Sequence, residues 1–153
     1  MKRKVFTFLL TLLLILWAGF IFSNSMEDVS ASYETSAGFI RMIDAHLLDN
    51  EQTAFLVQGC FRKAAHFFEF FLLGTLFYFL LARKEKPGRR ALLFSVLAAF
   101  VDEGLQMFSD RGNSLKDVLL DSCGAAAAIG LLIAIRFLIR RKKTGEQNEK
   151  FLS

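Results

Sequence analysis

Four stretches of the chain are apolar over more residues than a water-soluble helix uses on its buried side. The first, Val5 to Phe22, reads VFTFLLTLLLILWAGFIF and follows the basic triplet Lys2, Arg3 and Lys4. At ~1.5 Å per helical residue, this run and its flanks match a ~30 Å hydrocarbon core. A basic start and an apolar middle also fit a secretory signal peptide. The apolar stretch is longer than the usual ~7–15 residues and no small-x-small cleavage site follows it directly, so a retained helix is expected. Three later runs, 70–82, 91–101 and 122–135, are shorter, but each reaches membrane-spanning length when its polar end is included. The predicted spans are about 5–23, 64–82, 91–108 and 117–139. None carries a polar stripe along its apolar part, so each is a helix for lipid or for a deep interior. Too little polar chain remains to bury all four.

The pattern therefore predicts an all-α integral membrane four-helix bundle. Between spans one and two, Phe39, Ile40, Ile43 and Leu47 recur at helical spacing, and 51–57 looks similar. These segments read as one or two amphipathic helices on the outer side, lying on the membrane or capping the bundle. Residues 1–140 form one transmembrane domain, and the polar tail 141–153 is expected to be disordered and cytoplasmic.

Composition alone would mislead. The 22% of charged residues in 153 is ordinary for a soluble domain, although 54% of the chain is hydrophobic and 18 residues are Phe. The charge is clumped: the 22 residues between Lys4 and Glu27 have none. Sorting charge by the two sides the spans define gives 14 Lys and Arg against 3 acids on one side, and 5 against 12 on the other. The basic side holds both termini and the loop around Arg83 to Arg90, so the positive-inside rule places these in the cytoplasm. Basic clusters at the ends of apolar runs explain the net charge of +4 through anionic lipids, and no nucleic-acid partner is expected.

With this topology, the embedded ionisable residues fall at one depth, in the outer half of the bilayer. Arg62, His66 and Glu69 form one stripe at i, i+4 and i+7; Asp102 and Glu103 flank Gln106; Asp117 and Asp121 are again i, i+4, and the stripe continues to Gly124. Ionised side chains at that depth cost about 2.5–3.5 kcal/mol each on insertion scales, so they face inward and find partners. A shared outward-opening pocket is the economical arrangement. Its candidate acid/base group is His66, Glu69, Asp102 and Glu103, with Glu69 or Asp102 orienting His66. Its candidate substrate-binding group is Arg62, Gln106, Arg111, Asp117 and Asp121, the arginines suited to a phosphate. Ser23, Ser25 and Ser114 are nucleophile candidates without triad spacing. A single embedded His and the competing arginines argue against a metal, so no metal and no cofactor are expected. Cys60 and Cys123, at different depths, are expected to stay free.

These residues carry a resemblance. The pattern R-K-x-x-H-F-x-E-F from Arg62, then D-E-x-x-Q-x-F from Asp102, Arg111, and S-x-x-D-V-x-x-D-x-x-G from Ser114 to Gly124 resembles the VanZ-like membrane proteins. Phe22 to Ser25 resembles the polar end of that family's first span. The resemblance covers about residues 15–135, with Asp121 standing where the family more often has Asn. It implies a link to resistance against the glycopeptide teicoplanin and, with the pocket, action on or binding of a cell-envelope lipid or wall-precursor headgroup. The alternative is a non-enzymatic helper whose polar cluster is structural and whose outer segment binds a partner protein.

Overall fold

A computed structural model of the chain describes residues 2–26, 29–43, 50–106 and 115–152. Five helices account for them: α1 (Lys2–Ser25), α2 (Val29–Ile43), α3 (Glu51–Leu81), α4 (Pro87–Gln106) and α5 (Leu115–Leu152). Their ends follow local chemistry. Asn50 caps α3 by accepting a 2.9 Å hydrogen bond from the Gln52 amide. Pro87 opens α4, where a missing N–H costs nothing, and Asp117 sits in the first turn of α5, where the helix dipole favours an acid.

Three helices are long and apolar enough to cross a membrane: Lys2–Ser25, Gln52–Leu81 and Leu115–Lys142. The chain is accordingly a membrane protein. Helix α4 is not among these three, because polar and small residues dilute it. Those residues share one face, however. Ala91, Ser95, Ala99, Asp102, Glu103 and Gln106 are buried, while Leu93, Phe94, Leu97, Phe100 and Val101 point outward. This polarity is the reverse of a helix in water, and α1 likewise leaves Val5, Phe6, Phe8, Leu9, Ile15 and Leu16 uncovered. Four hydroxyls on α1, α3 and α4 are satisfied within their own helix: Thr7, Thr11, Thr75 and Ser95 each donate to the carbonyl four residues earlier, at 2.9–3.1 Å.

Ile21, Phe70, Leu73, Ala99 and Val118, drawn from α1, α3, α4 and α5, meet in one core, and Tyr78, Ala91 and Ile129 form a second towards the other end. The closest approach is between α3 and α5, on small residues. A Cβ added at Gly74 would lie 2.9 Å from the Ala125 Cα, and one at Gly124 would strike the Phe67 carbonyl oxygen.

Three boundaries differ from the sequence expectation. The piece at 51–57 is no separate surface helix. It forms the first turns of α3, since nothing between it and residue 64 breaks a helix, and Gly59 is tolerated in the interior. Helix α2 covers the first part of the amphipathic segment and stacks Phe39 on Phe61 of α3 at 6.0 Å; positions 44–49 lie outside the described residues. The tail expected to be disordered continues α5 to Leu152. It contains no proline to stop the helix.

Candidate functional site

The C-terminal end of α1, the first half of α3, the C-terminal end of α4 and the start of α5 come together, and the polar side chains of all four are found there. Asp102 lies at the centre, fully buried. Its Oδ1 accepts a 2.6 Å hydrogen bond from the Ser25 hydroxyl, and its Oδ2 accepts one of 2.9 Å from the Gln106 side-chain amide. The first bond joins α1 to α4. The second runs along α4 and is the i, i+4 geometry that places both groups on its inner face.

Glu69 forms a second node. Its Oε1 accepts from Asn24 Nδ2 at 3.3 Å, and its Oε2 lies 3.5 Å from His66 Nδ1, an ion-pair distance on the i, i+3 face of α3. Glu69, rather than Asp102, therefore stands at His66 Nδ1. Trp17 Nε1 donates 3.0 Å to the main-chain carbonyl of the same Glu69. Trp17 is not among the candidates that residue type and spacing single out. Its one signal was being the single Trp of a span otherwise built from Phe, Leu and Ile, since an indole N–H inside a membrane needs an acceptor.

His66, Asp102 and Asp121, from three different helices, bring one donor atom each to within 4.8 Å of one another. Asp121 is 2% exposed, and its Oδ1 has no hydrogen-bond partner among the described residues. Glu103 is buried on the same face of α4. Arg111 and Ser114 lie outside the described residues. Cys60 and Cys123 are both free thiols.

Two cavities flank His66. The larger, about 330 Å³, lies between α3, the end of α4 and α5; Arg62, Lys63, His66, Gln106, Asp117 and Asp121 supply its polar wall, and Phe55, Leu56 and Leu120 its apolar rim. The smaller, about 200 Å³, lies between α1, α2 and α3 and is reached by Asn24, Ser36, Arg62, His66 and Glu69. Arg62 and His66 therefore face both. The apolar lining by Phe55 and Leu56 was missed by sequence reasoning, which placed those residues on a separate outer helix instead of on α3.

A volume of about 330 Å³ is at the lower end of small-ligand sites. Cations on one wall and carboxylates on the other suit a zwitterionic or phosphate-bearing group better than an apolar one, while the apolar rim suits the start of an acyl or prenyl chain.

Residues 8–138 match the VanZ/LLP1 protein family. A relative from Bacillus subtilis (strain 168), described as the uncharacterized membrane protein YwnJ, is 36% identical over 90 residues, 59% of this chain. The matched part spans 58% of that relative's length. No solved structure matches.

Proposed function

Given that the chain belongs to the VanZ/LLP1 family of membrane proteins, we propose that it binds, or acts on, the headgroup of a cell-envelope lipid or wall precursor at the outer leaflet. The observation that carries this reading is the larger cavity, lined by Arg62 and Lys63 from α3, Asp117 and Asp121 from α5, and the apolar Phe55, Leu56 and Leu120. Arg62 and Lys63 hold the anionic part of the headgroup, the carboxylates and Gln106 its donor groups, and the rim the first carbons of the chain. His66, oriented by Glu69, is the group able to move a proton there.

In this reading α4 is a fourth span, ~30 Å long at 1.5 Å per residue, with its uncovered apolar face in lipid. Both termini and the loop around Arg83 to Arg90 are then cytoplasmic, and the cavity opens outward. The protein sits in the bacterial inner membrane and contributes to tolerance of glycopeptides such as teicoplanin by altering or sequestering the precursor they recognise.

A second reading has its own support. The bonds from Trp17, Asn24 and Ser25 to Glu69 and Asp102 tie α1 to the other helices, as expected of a non-enzymatic helper whose polar cluster is structural. Complementation of a deletion strain separates the two. His66→Ala and Arg62→Gln, present in membranes at wild-type abundance but without restored teicoplanin tolerance, are expected if the cavity is the working part. Full tolerance in both would sink it, and loss of abundance in both would favour the helper.

A further inference from the structure

We propose that His66, Asp102 and Asp121 form a binding site for one divalent transition-metal ion of the zinc type. The three come from α3, α4 and α5, and one donor atom of each lies within 4.8 Å of the others. Donor atoms around an ion with bonds of ~2.1 Å are about 3–3.5 Å apart, so the ligands close by about an ångström on binding. Two observations point to an ion instead of a settled polar core. Asp121 is 2% exposed and has a carboxylate oxygen without a hydrogen-bond donor among the described residues. Asp102 is fully buried within reach of that second carboxylate, and a divalent ion between them would neutralise two oxygens that otherwise repel or share a proton.

The surroundings meet the further requirements of such a site. Glu69 Oε2 stands 3.5 Å from His66 Nδ1 without a hydrogen bond between them; closing that gap would give the carboxylate–histidine pairing that orients metal-bound imidazoles and would leave Nε2 to ligate. Ser25 and Gln106 fix the Asp102 carboxylate by donating to it. The cavity of about 330 Å³ touches both His66 and Asp121 and provides the entry route. One imidazole with two carboxylates favours zinc, manganese or cobalt over magnesium, which prefers oxygen alone. Water or a bound group fills the remaining positions. A bound ion takes both ring nitrogens of His66 out of proton transfer, so the proton role given to His66 belongs to the ion-free site; the ion site itself stands whether or not the cavity receives a lipid headgroup.

The test uses the full-length protein in detergent micelles, stripped with a chelator and dialysed against Zn²⁺. The wild type is expected to retain one equivalent that excess Mg²⁺ does not displace. Asp121→Asn and His66→Ala are expected to retain less than about a tenth of that, and Glu69→Gln to weaken binding about 10–100-fold. Co²⁺ bound to the wild type provides a readout that needs no variant: visible d–d bands without the near-ultraviolet band of a thiolate ligand, because Cys60 is no part of the site. Uptake well below one equivalent by the wild type, wild-type uptake by both ligand variants, displacement by Mg²⁺ or a thiolate band would each overturn the proposal.

Discussion

Replacing Gly124 by alanine tests with one methyl group how closely α3 and α5 are packed. The new Cβ would meet the Phe67 carbonyl oxygen first, with the Phe67 carbonyl carbon at 3.1 Å and its Cα at 3.3 Å. All three are main-chain atoms, so no side-chain rotation relieves the contact. Carbon and carbonyl oxygen rest at about 3.3–3.6 Å, which means that the helices must part by about 1 Å at the crossing. Overpacking of this kind costs about 1–3 kcal/mol. Alanine also gains about 1 kcal/mol over glycine in helix propensity, so the comparison needs a control on the same helix. Gly130 provides it, since a Cβ there meets nothing within 4 Å. The unfolding equilibrium constant of Gly124→Ala should exceed that of Gly130→Ala by about 5- to 150-fold, the equivalent of that 1–3 kcal/mol. Circular dichroism during unfolding in mixed micelles of mild detergent and dodecyl sulfate measures both. The effect should extend to the polar cluster, because His66 adjoins Phe67 and Asp121 lies one turn before Gly124. Equal stability of the two variants would refute the close crossing and the positions of the side chains that depend on it.

Ser25→Ala removes the 2.6 Å donor to a fully buried Asp102; the expected loss is about 1–3 kcal/mol in the same unfolding assay. Ser25→Thr, which keeps the hydroxyl, should recover most of it, and an unchanged midpoint for Ser25→Ala would show that α1 is held by packing alone. For topology, Glu85→Cys in a Cys60→Ser, Cys123→Ser background should resist a membrane-impermeant maleimide in intact spheroplasts and react after lysis. Reaction before lysis would reverse the orientation and remove the outward-facing cavity.

How much of this was legible in the sequence depended on whether a feature lies within one helix or between several. The long apolar runs of α1, α3 and α5 are local, and length with hydropathy finds them. The boundary at residue 64 misled because the polar stretch before it, with Arg62 and Lys63, resembles a loop when the reference solvent is water. It is instead the polar end of one continuous helix, whose charges turn to the cavity. Helix α4 shows the same inversion most clearly. Ala91, Ser95, Ala99, Asp102 and Gln106 recur at four, four, three and four residues, a helical stripe as regular as any amphipathic pattern. In lipid, where apolar side chains gain nothing by turning inward, the small and polar stripe marks the buried face. Read this way, the sequence alone assigns Asp102 and Gln106 to the interior before any coordinate is known.

Which partners they find there is not a local property. The i, i+3 and i, i+4 spacings place His66 and Glu69 on one side of α3, and Asp117 and Asp121 on one side of α5. They do not determine the rotation of one helix against another. That rotation is set by packing, by Gly124 against the Phe67 backbone and Gly74 against Ala125, and it decides that Asp121 turns toward His66 and Asp102 instead of toward lipid. The arginines that seemed certain to claim the carboxylates made a metal site unattractive on residue types alone. Once three helices deliver His66, Asp102 and Asp121 to one point, with Glu69 behind the imidazole, the balance changes. An imidazole and two buried carboxylates within 4.8 Å are the arrangement on which the proposed ion site rests, and no spacing within a single helix reveals it.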